Sequence, residues 1–568
     1  MKIFTKVLFC LLALGFFATA NADQTVSAEN LGKHGVKVPR GPDGNKVLSL
    51  KKGVYHFYAS NAAVKKLYVS NHDQPVSHRV QLPLTGLKNY TLDGNGSTFV
   101  FHGDSLGILL KDCDNVTLKN LTLDYARPMV SEAKVIAFKD GKTQIELDKK
   151  AFPYEVKNGR LVFIFDNCER VCSTAIAFNG KTQEIVEGTS DIVIGGAELD
   201  GNGAVWLKQD LRKNGVGVAV GDVLAMRSYD RPHPCICVYN ADNVRFENVV
   251  IHTSLGMGLL AQRSKNLTFS GGGVFPREGA CSSTAADATH FSNMRGLVKV
   301  ENAKFVGMLD DAINVHSTCL KIVEKIDDKR LKLQYMHPQA IGFEVFGAGE
   351  NLRFIKAKTL ENGEKVRVRS VETLSPTQIV VTLENPVPAD VVVGDAVENA
   401  DYQPEVIFSG NYVAKNRARG ALFTTPQKII CENNKFHNVA GSAILLAGDA
   451  AGWYESGACE DVVIRKNEFV NNLTSRFQFT NAIISIYPSV NDLDAQKQFY
   501  HRNILICDNV FKTFDVPLLF AISTDNLKFE RNKIIYNTQY RAWNQEAFQL
   551  KHCGKNIKLQ KLPKKKSK

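Results

Sequence analysis

Short stretches of alternating apolar and polar residues recur along the chain, and each ends at an asparagine-centred turn. The motif reads apolar, two residues, Asn, one residue, apolar in "IRKNEF" (464–469) and "FERNKI" (529–534), and "LKNLTL" (118–123) carries its Asn one position earlier. "CDNVF" (507–511) belongs to the same set, and "VENAKF" (300–305) and "CENNKF" (431–436) match it with a shift of one residue. A second strand follows many of these turns, as in "GMGLLAQRS" (256–264), "DDAINVHST" (310–318), "ARGALFTTP" (418–426), "GSAILLAGD" (441–449) and "TNAIISIYP" (480–488). The repeat is 23 residues from Phe408 to Cys431 and again from Ile506 to Phe529. Short apolar strands at this period predict an all-β chain wound as a right-handed parallel β-helix, each coil giving one strand to each of several parallel sheets. Asparagine tolerates left-handed backbone and can ladder from coil to coil. Asn115, Asn120 and Asn266 therefore read as turn residues, although each heads an N-x-S/T triplet. A leucine-rich horseshoe would need a leucine consensus and helical segments, and neither is visible.

Two stretches lose this pattern and show longer alternating strands with charged turns, such as "KTQIELDKK" and "PTQIVVTLENP". Both read as small antiparallel β-barrel domains inserted into loops of the β-helix. The predicted organisation is a leader (1–22), N-terminal coils (23–126), a first barrel (127–235), central coils (236–318), a second barrel (319–403), C-terminal coils (404–556) and a basic, disordered tail (557–568). The second barrel leaves the helix just after the Asp310-Asp311 pair, so it is expected to overhang that strand.

Composition changes this picture little. The chain of 568 residues is 44% hydrophobic and 23% charged, ordinary for a globular protein of several domains. "MKIFTKVLFCLLALGFFATANA" has the basic start, short apolar run and small-residue end of a secretory leader cut after Ala22, which predicts export to the periplasm or medium. No later apolar run is long enough to span a bilayer. The formal charge of +12 loses two lysines with the leader and five with the tail "KLPKKKSK", leaving +5 over the body. No basic stripe with interleaved aromatics is present, which argues against a nucleic-acid partner. The eleven cysteines after Cys10 have neither a disulfide-framework spacing nor a closed zinc spacing.

The candidate chemistry lies in "FVGMLDDAINVHST" (305–318). Strand parity puts Ile313 and Val315 on one face and Asn314 and His316 on the other. It leaves Asp311 on the apolar side unless the strand breaks there, and a break would turn both carboxylates to water. One coil earlier, "DATH" (287–290) aligns with "DAIN" (311–314), which stacks Asp287 under the pair. Clustered carboxylates raise the pKa of at least one member, giving a protonated acid beside an ionised base, as glycoside hydrolysis requires. Asn314, His316 and His290 occupy neighbouring outward positions suited to sugar hydroxyls, and His316 could instead tune Asp310. Arg277 and Glu278, from the preceding turn, suit either a sugar contact or a salt bridge. Trp206 and the loop "GDAAGWYESG" (448–457) are candidate aromatic platforms. The same trio could hold calcium.

"TLDGNGSTFVFHG", "LTLDYARP", "SSTAADATHF" and "LDDAINVH" resemble sequences of glycoside hydrolase family 110, the bacterial α-1,3-galactosidases. The resemblance covers nearly the whole mature chain, including both barrels. It implies removal of terminal α-1,3-linked galactose, as on blood-group B glycans, with inversion and without a metal or other cofactor. Residue by residue, it implies Asp310 as general acid and Asp287 and Asp311 as candidates for activating water. Two alternatives remain. A polygalacturonase-like hydrolase would need a lysine or arginine cluster facing the acids, and the sequence after Asp310 shows none. A non-catalytic glycan-binding adhesin would keep the ladder without needing the trio.

Overall fold

The computed structural model describes residues 46–75, 77–213 and 217–563, together with the backbone of residues 24 and 25. The expected leader and the last five residues lie outside them. Among the described residues the regular structure is almost wholly strand, with one 3-10 turn at Ala59–Asn61. No helix there is long and apolar enough to cross a membrane.

The body is a parallel β-helix, because successive coils pair strand over equivalent strand. Phe408 pairs with Cys431 and Ile506 with Phe529, the residues that carry the 23-residue repeat. The wall that bears the acid pair runs through the strands Leu259–Gln262, Thr289–Ser292, Ile313–Thr318, Ala421–Phe423, Ile444–Gly448 and Ile484–Pro488. Inward residues of every coil, such as Phe291, Ile313, Val315 and Phe423, merge into one continuous buried core. Phenylalanines stack along another wall, with Phe469 4.6 Å from Phe511 and 5.4 Å from Phe436 between ring centres.

The turns explain the offset in the asparagine motif. Asn434, Asn467, Asn509 and Asn532 are buried, and each Oδ1 accepts the backbone N–H of the asparagine one coil before it. Asn302 and Asn433 stand one position earlier, where the backbone is left-handed at φ of 53° and 56°. Asn115, Asn120 and Asn266 also sit at positive φ. The final coil reaches further than the sequence suggested. Ile557–Leu559, assigned above to the disordered tail, forms a strand on Leu527–Phe529, and both apolar residues pack against the core. The alternation that defines the coils continues to Leu559, which is why pairing continues as well.

The two insertions have their own cores. The first contains a seven-stranded sheet from Ser131–Lys139 to Val223–Arg227, with a three-stranded sheet beside it. The second is a closed six-stranded barrel, from Leu320–Lys325 to Ala396–Asn399. It is tied to the site wall by Arg263 and Glu350 at 2.9 Å, by the Arg263 guanidinium over the Tyr402 ring at 3.9 Å, and by Gln339 and Asp73 at 2.9 Å. All eleven described cysteines are free.

The ladder gives a stability test. Asn467→Ala removes the acceptor of the buried Asn434 N–H, which is left without a partner, and one acceptor of Asn434 Nδ2, which keeps the Phe408 carbonyl oxygen. The expected loss is about 2–4 kcal/mol, from one unsatisfied buried donor and the further hydrogen bond lost at Nδ2. An unchanged denaturation midpoint would show that the ladder does not hold the coils.

Candidate active site

The coil register builds a column of charge. Thr289 pairs with Ile313 and Ile313 with Ala421, so Asp287, Asp311 and Arg419, each two residues earlier, stand one above another. Asp310 is beside the column in the bend that precedes the strand. Oxygens of the three carboxylates lie within 4.8 Å of one another. The sequence reading had both paired acids facing water, and the structure corrects this. Asp287, Asp310 and Asp311 are 3%, 6% and 0% exposed. The outer wall around the acids is covered by the Ser70–Asp73 segment and the 449–457 loop, which the second barrel backs through Gln339 to Asp73 and His337 to Trp453, so outward positions here are buried.

Buried acids need counter-charges, and arginines supply them. Arg231 donates to Asp310 Oδ2 at 3.0 Å and Arg417 to Asp310 Oδ1 at 3.2 Å. Arg417 is fixed from behind by Asp191 of the first insertion, at 2.6 and 2.8 Å. The Arg419 backbone N–H donates to Asp311 Oδ1 at 2.9 Å. Its guanidinium lies 2.9 Å from Asp311 Oδ2 but off the line of a hydrogen bond, so Oδ2 has a charge contact without a donor. The sequence reading found no arginine cluster facing the acids. The structure corrects that as well: Arg231 comes from the return segment of the first insertion, and Arg417 and Arg419 from the coil that follows the second, between the strands Tyr412–Ala414 and Ala421–Phe423.

The trio therefore carries mixed protonation. Burial works to raise the pKa of Asp310, but Arg417, Arg231 and Arg419 outweigh it and hold the group near 2. Asp287 is pushed up to about 7, first by burial and then by the Asp310 charge. Asp311 is raised well above the ordinary carboxylate range, by burial and by both neighbouring acids, against the pull of Arg419. The charge order runs opposite to the roles carried over from the family resemblance, since the ionised member is Asp310.

Asp287 Oδ2 is 2.7 Å from His290 Nδ1, and His290 Nε2 is 2.8 Å from His316 Nε2. The cavity in front of the trio is lined by Asn71, Asn314, Glu455, Trp453, Phe479 and Tyr487, among others. Asp449 shapes the Trp453 loop by accepting backbone N–H bonds from Ala451, Gly452, Trp453 and Tyr454. The Trp453 ring stacks on His337 of the second barrel, 4.1 Å between centres.

Of the residues singled out from sequence, Asp287, Asp310, Asp311, His290 and Asn314 meet at this cavity. His316 stands behind His290 and does not line it. Arg277, expected to contact the sugar, instead binds Asp124 at 2.7 and 3.0 Å and does not line the cavity. Trp206 donates to Asp200 on the first insertion and is no platform for this cavity. Arg231, Arg417, Asn71, Phe479 and Tyr487 were not legible in the motifs. Arg419 was, had the register been counted across the second insertion.

Among the described residues two clusters have the donor types for a cation, the acid trio and His290, His316 and Glu455. Guanidiniums already neutralise the first. The facing imidazole nitrogens of the second are 2.8 Å apart, a hydrogen-bond distance. Two nitrogens on one tetrahedral zinc would stand about 3.3 Å apart. Neither cluster has the layout of a metal centre.

Comparison with known proteins gives three kinds of match. Two family models fall on the insertions: GLAA-B beta-barrel domain I on residues 131–224 and GLAA-B beta-barrel domain II on residues 330–397. The Alpha-1,3-galactosidase B of Akkermansia muciniphila is 51% identical over 514 residues, covering 90% of this chain and 64% of that protein. This chain thus spans just under two thirds of that relative. The Alpha-1,3-galactosidase B of Parabacteroides distasonis is 40% identical over 517 residues, covering 88% of this chain and 84% of that protein. Among solved structures, the Azotobacter vinelandii mannuronan C-5 epimerase AlgE6 A-module aligns over 92% of both chains, with 11% identity and a TM-score of 0.35.

The shifted acids predict a pH signature of stability. Asp287 titrates near 7 when folded, against an ordinary 3.8, so its contribution is full below about 4 and disappears as pH rises through about 7. Asp310 has the opposite sign, its contribution being present above about 4 and lost as pH falls toward 2. Asp287→Asn cannot ionise, so its melting temperature relative to the parent is expected to rise between pH 5 and pH 8. A constant difference across that range would mean that Asp287 titrates normally.

Proposed function

The chain belongs to glycoside hydrolase family 110, the bacterial α-1,3-galactosidases, and from that premise we propose that it hydrolyses terminal α-1,3-linked galactose on glycans, with blood-group B structures and linear α-1,3-galactosides as the substrate class. The observation that carries this reading is the buried trio, in which guanidiniums hold the Asp310 carboxylate ionised while burial favours the protonated form of Asp287 and Asp311, opening on a cavity with aromatic walls. Hydrolysis of an acetal needs a proton for the leaving oxygen and a base for water, and the trio holds both near neutral pH. Asn314 Oδ1, Asp311 Oδ2 and Arg419 Nε are buried without a hydrogen-bond partner in the protein. Such groups carry a cost that sugar hydroxyls, which both donate and accept, would relieve. Trp453, Phe479 and Tyr487 offer flat apolar faces to the C–H side of a pyranose.

In the roles implied by the family resemblance, Asp310 protonates the leaving oxygen and Asp287 or Asp311 activates water, with inversion. Two observations favour a second reading of these details. The guanidinium clamp keeps Asp310 ionised, which suits a base, and leaves the protons on Asp287 and Asp311. The nearest carboxyl oxygens, within 4.8 Å, are also closer than the roughly 6.5–9.5 Å of the usual inverting pair, and nearer the roughly 5–5.5 Å of retaining ones.

Release of free galactose from an α-1,3-galactosyl oligosaccharide tests the activity, and its absence on both branched and linear substrates would refute it. Asn in place of Asp287, Asp310 or Asp311 is expected to cost about 10²–10⁴ in kcat while each variant stays folded. Proton NMR before mutarotation shows β-galactose first if the reaction inverts, whereas early α-galactose means retention. Leaving-group dependence then identifies the acid. The variant that recovers on an aryl α-galactoside but not on a disaccharide has lost the proton donor. If that variant is Asp287→Asn or Asp311→Asn, the role carried over for Asp310 is wrong. EDTA is expected to leave activity unchanged, and loss restored by calcium would turn the trio into a metal site.

A further inference from the structure

The two histidines behind Asp287 form a chain whose hydrogen positions are fixed from one end. His316 Nδ1 is 3.0 Å from the Ser317 carbonyl oxygen, which can only accept, so Nδ1 carries a hydrogen. In the neutral ring Nε2 is then bare. At 2.8 Å it must accept from His290 Nε2–H. Burial, followed by His316, depresses the His290 pKa well below its ordinary value and keeps that ring neutral, so its Nδ1 is bare too. The 2.7 Å contact between His290 Nδ1 and Asp287 Oδ2 therefore needs a hydrogen on the carboxyl. With both rings neutral, the contacts place that hydrogen on Asp287, in agreement with its raised titration.

The far end of the chain is equally specific. Glu455 Oε1 is 3.5 Å from His316 Nε2 and is itself oriented by Asn71 Nδ2 at 3.0 Å. Glu455 lines the cavity, whereas His316 does not. The other charged or titratable groups facing the imidazoles are Asp310, Arg231 and His72; Arg231 and His72 oppose a positive charge there, and Asp310 favours one.

We propose that His290 and His316 are positioning residues forming a two-imidazole proton relay, which switches Asp287 between its acid and its carboxylate form by moving one proton between Asp287 and His316. The step balances within the chain. The Asp287 O–H bond breaks as His290 Nδ1–H forms, and His290 Nε2–H breaks as His316 Nε2–H forms. A carboxylate is left at Asp287, and an imidazolium at His316 faces the Glu455 carboxylate. No proton enters or leaves the protein. The relay removes the difficulty of a buried acid that must also serve as a base, because Asp287 can ionise without its proton crossing the occupied cavity. The inference rests on the hydrolytic reading of the trio, but it holds whichever acid protonates the leaving group.

His316→Gln separates a relay from a simple hydrogen bond. Glutamine still accepts from His290 Nε2–H but cannot be protonated. With a wild-type enzyme that releases galactose, the variant is expected to keep its melting temperature and to hold KM within about threefold. Its kcat should fall at least about tenfold, and the limb of the kcat/KM profile near pH 7 should move to higher pH. Wild-type kcat and pH profile in His316→Gln would overturn the relay. An inactive wild-type enzyme would instead overturn the hydrolytic reading. A second measurement needs no variant: imidazole ¹⁵N NMR of the free enzyme should show His316 as the Nδ1–H tautomer and His290 as Nε2–H below pH 7. The reverse tautomers would also overturn the proposal.

Discussion

Hydrogen-bonded register between parallel coils is the constraint on which the site depends. Once Ile313 lies between Thr289 and Ala421, the positions two residues before each are forced into one column, and Asp287, Asp311 and Arg419 have no other place to stand. Strand spacing of about 4.8 Å then sets the separation of their side chains. The asparagine ladder on a neighbouring turn begins where Asn411 Oδ1 accepts from Ala303 N–H, between the coils of Asp311 and Arg419, and fixes the register of the coils that follow. The acids are thus held close together by the backbone of the coils. The energy to overcome their repulsion comes from the fold of the whole helix.

Close packing of like charges away from water would be intolerable without compensation. Each insertion contributes to that compensation. The first provides Asp191, which anchors Arg417, and the chain leaving it carries Arg231 to Asp310. The second backs the covering segments, through Gln339 to Asp73 and His337 to Trp453. The compensation is uneven, and the unevenness is chemically useful. Both oxygens of Asp310 receive a guanidinium, while Asp287 meets a neutral imidazole. One acid therefore ionises easily and another holds its proton near neutral pH. Folding stability and function meet at this point, because the arginines that make burial bearable also divide the labour among three identical side chains.

What could be read from sequence follows from how local each signal was. The 23-residue repeat, the parity of "DDAINVHST" and the alignment of "DATH" with "DAIN" lie within one or two coils, and the paired strands match them residue for residue. Burial of the trio was not legible, since parity distinguishes inward from outward but does not show what an insertion covers. Arg231 approaches on the chain returning from the first insertion, so no spacing placed it, and Arg417, two residues before Arg419, is aimed at Asp310 by Asp191 of that insertion, which no spacing shows. Arg277 was misassigned because nearness along the chain was taken for nearness in space, whereas its partner Asp124 lies 153 residues away. The tail was cut too early because its lysines hid the alternation of Ile557 and Leu559.

The most direct test of the central account, that three adjacent acids share unequal protonation, is a pH titration of ¹³C-carboxyl-labelled aspartate by NMR, with resonances assigned through the three Asp→Asn variants. The account expects the Asp310 carboxyl to stay anionic across pH 4–9, Asp287 to titrate with a midpoint about pH 7, and Asp311 to remain protonated beyond the ordinary carboxylate range. Three carboxyls titrating together near pH 4 would contradict it.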